Sequence, residues 1–355
     1  MLQKRLEIIG WRTVMAKKRF ALVGAGLFGE MHARAYSSHP EAELAVVCDL
    51  NGDRAKEIAE RYGAPKYTTD WREVAGEASL DGVSVATPDF AHTEIAVGMA
   101  EAGKHVLVEK PLATTVADCE RIVAAAKGAD VKLMTAYHNR WNPAFHEAYR
   151  RARAGEVGAV RYLYFRLSNT TFVPLQMLAW AEQSSVLWFL GSHATDMACW
   201  LIGEWPTRVY SVSRREVLQG RGVDTPDLFA STLEFPSGAV AMLENVWLLP
   251  QTAPNVVDAK CEVVGTKETI YINTSHHAAF EIYTTEGVKY ADMLGAPQVH
   301  GKYTGFMLES LRHFADCVCY DQTPLVSGED GLEVTRVLCA IEESARTGLP
   351  IEIAR

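Results

Sequence analysis

The stretch ALVGAGLFGEMHARAY, residues 21 to 36, constrains the fold of this chain more than any other. An apolar run ends at Val23, glycines follow at Gly24, Gly26 and Gly29, and a helical pattern begins at once. Gly24 permits the tight turn, Gly26 lets the backbone approach a pyrophosphate, and Gly29 lets the helix close on the strand while its first amides face the anion. Leu27 and Phe28, inside the loop, belong to the same cofactor-binding set. A unit of this kind needs parallel neighbours, and the sequence supplies them. Apolar runs at Phe20–Val23, Leu44–Cys48, Gly82–Ala86, Val106–Val108 and Lys132–Thr135, with a weaker one at Tyr67, predict strands. They alternate with helical patterns at Met31–Ser37, Arg54–Tyr62, Thr93–Ala102 and Ala117–Ala126. The expected fold is α/β, opening with a Rossmann dinucleotide-binding domain whose mostly parallel sheet is covered by helices on both faces.

After a helix at Pro143–Arg153 the texture changes. Runs such as VRYLYFRLS, TRVYSVSRR, AVAMLENVWLL and TIYIN are rich in β-branched and aromatic residues and are separated by turn signals, which predicts a large open, mostly antiparallel sheet. One helix interrupts it near Leu190–Ile202, and two late helices, near Phe306–Cys319 and Gly331–Ala345, are expected to pack back on the first domain. The organisation read here is an extension over residues 1–18, a dinucleotide-binding domain over 19–140 and a substrate and oligomerisation domain over 141–355. At 355 residues and 48% hydrophobic content the chain can fill two such cores.

Charge and cysteine usage narrow the function classes. Lys and Arg number 35 against 44 Asp and Glu, a net charge of -9, so no nucleic-acid partner is expected. The seven cysteines contain no CxxC pair, and Cys317 and Cys319 have no histidine beside them in sequence, so no metal site is expected and the thiols suit a reducing, cytoplasmic compartment. No apolar run reaches the roughly 18 residues of a membrane span, and no signal-peptide core is read at the N-terminus.

Asp49 ends the second strand, about 20 residues beyond the glycine loop, where a carboxylate accepts from ribose hydroxyls and repels a 2′-phosphate. NAD is therefore expected over NADP. ATPDFAH, residues 86 to 92, follows the fourth strand and places Thr87, Pro88 and His92 by the nicotinamide side of the cleft. EKPLA, residues 109 to 113, closes the fifth. Pro111 disfavours the α region for Lys110, so the ammonium is held at the sheet edge, within reach of cofactor and substrate, with Glu109 expected to orient it. A hydride leaves a carbinol carbon only if the hydroxyl proton also leaves, and a partly buried amine suits that exchange.

With these residues in place, the chain resembles the glucose-fructose oxidoreductase, inositol dehydrogenase and rhizopine-catabolism (GFO/IDH/MocA) family. The resemblance runs from Arg19 to Ile353 and rests on the glycine motif, ATPDFAH, EKPLATT, HNRWNP and GSHATDMACWLIG in the family's order and spacing. It implies oxidation of a secondary hydroxyl of a sugar or cyclic polyol, with Lys110 and His193 as the catalytic pair. It also implies homodimers or homotetramers through the open sheet. His193, Asp196 and Trp200 share one face of their helix, which places Asp196 to support the imidazole.

One position departs from the family pattern. Many inositol dehydrogenases carry an acid four residues before this histidine, and here Phe189 stands there. A phenylalanine cannot titrate, so Lys110 and His193 are left as the acid–base pair while Phe189 and Trp188 are expected to stack on a sugar ring. His138 and Asn139 follow strand six as expected substrate contacts, and Arg166, Asn169, Trp180 and the pair His276–His277 are candidates for the pocket rim. Two competing readings are a nucleotide-sugar or glycoside 3-dehydrogenase and a non-catalytic dinucleotide-binding sensor, the second disfavoured by the presence of both Lys110 and His193.

Overall fold

The computed structural model describes residues 16–275, 280–285 and 287–354. Residues 1–15 of the expected extension and the pair His276–His277 lie outside the described residues.

Six strands form one parallel sheet: β1 (Lys18–Val23), β2 (Ala42–Cys48), β3 (Lys66–Thr68), β4 (Gly82–Val85), β5 (His105–Val108) and β6 (Leu133–Thr135). Their order is β3-β2-β1-β4-β5-β6, the doubly wound arrangement. The central strands are apolar on both sides because both sides are covered. Phe20 and Leu22 join the core that continues into the second half of the chain, while Ala21 and Val23 join a separate core under the other helices. Between the strands lie α1 (Leu27–Ser38), α2 (Gly52–Tyr62), α3 (Trp71–Gly76), α4 (His92–Glu101) and α5 (Val116–Gly128). Local chemistry sets their ends. Asn51 caps α2 by accepting from the Asp53 and Arg54 amides, and Gly63 ends it in the left-handed region with φ 75°. Only six residues long, α3 has too few apolar repeats to be read from sequence.

The chain leaves this sheet through α6 (Pro143–Arg153), which starts with proline in its first turn behind an Asn142 cap. Then come β7 (Val160–Asn169), α7 (Ser192–Ile202), β8 (Arg208–Arg214), β9 (Leu228–Glu234), β10 (Val240–Val246), β11 (Val257–Gly265) and β12 (Thr269–Asn273). Two small hairpins pair β13 (Glu281–Thr284) with β14 (Gly287–Tyr290) and β15 (Gln298–Val299) with β16 (Lys302–Tyr303). The chain closes with α8 (Phe306–Cys319), α9 (Gly328–Thr347) and β17 (Ile351–Glu352).

The second sheet runs β12-β11-β7-β10-β9-β8-β17, antiparallel throughout except where β7 meets β10. Alternation along β7 divides it cleanly. Leu163, Phe165 and Leu167 are buried against the helices, and Tyr162, Tyr164 and Arg166 face the other way. Tyr210, Met242 and Tyr271 lie exposed on strands of the same sheet. The late helices do return to the first sheet. His39, after α1, meets Asp316 of α8 at 3.0 Å, and Gly331 of α9 lies so close to Leu112 and Thr135 that a Cβ there would stand 2.8 and 2.5 Å from them.

Candidate active site

The turn after β1 is built as its glycines require. Gly24 has φ 94°, and a Cβ on it would stand 2.5 Å from Ala86 O. On Gly29 a Cβ would be 1.9 Å from Gly24 O, so α1 lies directly on the turn. Nothing lies within 4 Å of the Cβ position of Gly26, and no side chain caps α1, which leaves its first amides facing open space.

That space is a cleft of about 720 Å³ bordered by Gly24, Gly26, Leu27, Phe28 and Asp49, and across from them by Thr87, Pro88, Glu109 and Lys110. Asp49 accepts from the Ala25 amide at 2.7 Å and the Asn51 amide at 2.8 Å, which fixes its carboxylate on the wall with lone pairs to spare. Because Asn51 caps α2, Asp49 is free of that duty. Arg54 spends its guanidinium on Ala25 O, Glu30 and Glu57. The Thr87 hydroxyl is buried without a partner among the described residues. An open helix start, a fixed carboxylate and an unpaired hydroxyl together fit a dinucleotide.

A second cavity, of about 320 Å³, adjoins the first, and Phe28, Lys110, Met177 and Phe189 are walls common to both. His138, Asn139, Asn169 and His193 line it, drawn from the turn after β6, the end of β7 and the start of α7. Lys110, at the end of β5, is buried at the junction. Its Nζ donates to Phe189 O at 2.9 Å and lies 4.0 Å from the centre of the Phe189 ring. The Phe189 carbonyl is presented by a widened turn, Leu187–Gly191, in which the Ser192 amide reaches back to Leu187 O.

Burial lowers the Lys110 pKa, opposed by the Glu109 and Asp89 carboxylates. Burial likewise brings His138 down to about 4 and His193 well below its ordinary value. The His138 and His193 rings are 4.5 Å apart, and His193 Nδ1 has no partner among the described residues. Both imidazoles are therefore neutral near pH 7 and able to exchange protons with a bound hydroxyl.

Several expectations need correction. Asp196 does not support His193: it takes the Arg140 guanidinium, with Nη2 to Oδ1 at 2.5 Å, and burial pushes it up to about 6 against that pairing. Arg140 also meets Asp330 at 3.3 Å, so it ties the turn after β6 to α7 and α9. Glu109 does not hold the lysine ammonium. One of its oxygens accepts the Lys110 backbone amide at 3.2 Å, and the other pairs with His32 at 3.0 Å. His92 lies behind the cleft, where its two nitrogens stand 2.9 Å from Pro111 O and Thr87 O and staple those loops together. Gly29 likewise acts through packing, outside the cleft lining.

In the second half, Trp188 turns away from both cavities and hydrogen-bonds Glu342 of α9. Arg166 points to the other face of its sheet and pairs with Glu244 at 2.9 Å and Asp258 at 3.4 Å, because strand alternation puts it opposite Phe165 and Leu167. Trp180 borders the larger cleft, edge-on to Phe90 and Phe189. Conversely, Met177, Asn255, Asp292, Phe306 and Met307 line the smaller cavity and carry no motif that could have singled them out. Among the described residues no group of three or more His, Cys, Asp or Glu is placed to hold a metal ion, and no helix is long and apolar enough to cross a membrane.

Known proteins are similar to most of the chain. Scyllo-inositol 2-dehydrogenase (NAD(+)) of Bacillus subtilis is 28% identical over 344 residues, covering 94% of this chain and 96% of that one. Levoglucosan dehydrogenase of Pseudarthrobacter phenanthrenivorans is 30% identical, over 77% of this chain and 73% of its own. Among solved structures, aldose-aldose oxidoreductase from Caulobacter crescentus complexed with glycerol superposes with a TM-score of 0.78 at 28% identity, covering 95% of this chain and 99% of that one. The family described as "Oxidoreductase family, NAD-binding Rossmann fold" matches residues 18–137, and its "C-terminal alpha/beta domain" matches residues 153–353. The chain belongs to the GFO/IDH/MocA oxidoreductase family and is an NAD-dependent oxidoreductase acting on CH–OH groups.

Proposed function

We propose that this enzyme oxidises a ring secondary hydroxyl of a monosaccharide, anhydrosugar or cyclic polyol, with Lys110 and His193 moving the hydroxyl proton. The observation that carries this reading is the place of Lys110: one buried amine walls both the dinucleotide cleft and the neighbouring cavity. Bound NAD supplies the nicotinamide carbon that takes up the hydride. Gly26 and the start of α1 receive the pyrophosphate, and Asp49 accepts from the ribose.

In the smaller cavity Asn139 and Asn169 offer amide groups to ring hydroxyls, and Phe189 offers an apolar face. Lys110, its ammonium form disfavoured by burial, takes the proton of the reacting hydroxyl, and His193, which lines the same cavity, relays that same proton. Relatives named for inositol and levoglucosan support a single-ring substrate. So does the cavity size, near the lower end of the roughly 300–1,000 Å³ common for small-molecule sites. The exposed Tyr210, Met242 and Tyr271 of the second sheet support association of copies through that sheet.

The test is NAD reduction measured across inositols, hexoses, anhydrosugars and nucleotide sugars. Turnover confined to nucleotide sugars would replace this reading with the nucleotide-sugar alternative.

A further inference from the structure

His32 lies one helical turn beyond the glycine loop and lines neither cavity. It is fully buried, and both ring nitrogens are engaged. Nε2 is 3.0 Å from Glu109 Oε1, and Nδ1 is 2.8 Å from the Ser84 hydroxyl, which in turn contacts the Tyr36 hydroxyl. The other oxygen of Glu109 accepts the backbone amide of Lys110. His32, Ser84 and Tyr36 have no exposed surface, so this chain has no exit to solvent and cannot serve as a proton wire. What it does is supply a donor to a buried carboxylate whose sequence neighbour is the lysine at the junction of the two cavities.

We propose that His32 is a positioning residue for the reaction: by donating to Glu109 it keeps that carboxylate ionised and oriented, and so sets the pH at which Lys110 exchanges its proton. The inference rests on the assignment of proton exchange to Lys110. Burial opposes charge on Glu109, and the His32 hydrogen bond, helped by Lys110 and His138 nearby, overcomes it, holding the carboxyl down at about 2. The ionised Glu109 in turn favours the charged form of Lys110. The other groups facing Lys110 are Asp89 after β4, His138 after β6 and His193 on α7; those facing Glu109 are His32, Lys110 and His138.

The signs follow from the chain of contacts. Oxidation needs neutral Lys110, so kcat/KM rises with pH through its ionisation. His32→Leu removes the donor, and burial then favours a neutral Glu109. Without that negative charge neutral Lys110 is favoured, so the acid limb moves to lower pH by about 1 unit. Glu109→Gln should move it the same way, the double variant no further, and His32→Gln, which retains a donor, should stay near wild type. If His32→Leu does not fold, Glu109→Gln with and without His32→Gln carries the comparison.

The assay is the pH profile of kcat/KM in soluble variants, with NAD affinity read by fluorescence to exclude a collapsed cofactor cleft. An acid limb unmoved in His32→Leu, or unmoved in Glu109→Gln where His32→Leu does not fold, while Lys110→Ala is inactive, overturns this inference and leaves the lysine assignment standing. An active Lys110→Ala overturns the assignment beneath it.

Discussion

The two cavities that share Lys110 are built by different means. Backbone does most of the work in the dinucleotide cleft. Two glycines sit within 2.5 Å of neighbouring main chain when given a Cβ, a third opens on nothing, and the helix start is left uncapped. Side chains do the work in the smaller cavity, and they arrive from distant segments such as the turn at His138, the widened turn at Phe189, α7 and the start of α8. A site made of backbone tolerates changes of side chain and fails on a single added methyl. A side-chain site can be respecified one residue at a time.

The sharpest test of this contrast is at the shared wall. Lys110→Ala should cut kcat by about 10²–10⁴-fold, the usual worth of a positioned acid–base group, with NAD affinity within about twofold of wild type in titration. A variant with near-normal kcat would separate the chemistry from the lysine.

Next in size is a pH effect confined to the side-chain cavity. His138 ionises at about 4 in the folded protein, and His193 also well below its ordinary value, against about 6.5 in an unfolded chain. The unfolded chain takes up these protons first. The stability from keeping His138 neutral is therefore complete above pH 6.5 and lost as pH falls toward 4, on the order of 3 kcal/mol. Denaturant midpoints at pH 7 and pH 4.5 measure it, and His138→Gln should flatten the dependence.

In the backbone cleft, Gly26→Ala should leave the thermal midpoint within about 1 °C, since nothing lies within 4 Å of the new methyl, and weaken NAD binding about tenfold or more because the methyl occupies the pyrophosphate approach. A lower melting temperature with intact NAD affinity would reverse the account.

Phe189→Ala should raise KM about fivefold through the lost ring face. Because the Lys110 Nζ lies 4.0 Å from that ring, the acid limb should also fall by about half a pH unit, an effect not expected from sequence of a residue that cannot titrate. An unmoved limb would confine Phe189 to substrate binding.

The smallest effect belongs to Arg166→Ala. It stands on the far face of the sheet, so kcat/KM should change less than about twofold. A larger loss would place that face in the reaction.

Why Arg166 and Trp188 were misplaced by sequence reasoning, while Gly24, Asp49 and Lys110 were not, has a physical basis. The latter sit at ends of strands in a parallel sheet, where the order of strands alone brings them to one edge. Arg166 sits mid-strand, and shifting the inferred register by one residue exchanges the core face for the open face. Trp188 and Phe189 are adjacent in a widened turn, and only the path of that turn directs one to Glu342 and the other to Lys110.

By itself the sequence determined the strand and helix order, the glycine turn, the carboxylate at the end of β2 and the lysine at the end of β5. Each depends on chemistry acting within a few residues, namely hydrophobic period, turn conformation and the restriction before proline. Only the tertiary structure decided that Lys110 meets Phe189 across 79 residues of chain, that Glu109 meets His32 across 77, and that Asp196 answers to Arg140 rather than His193. Those pairings satisfy buried polar groups as the two halves of the chain close on one another, and which partners come within hydrogen-bond reach is settled by the packing of whole helices and sheets.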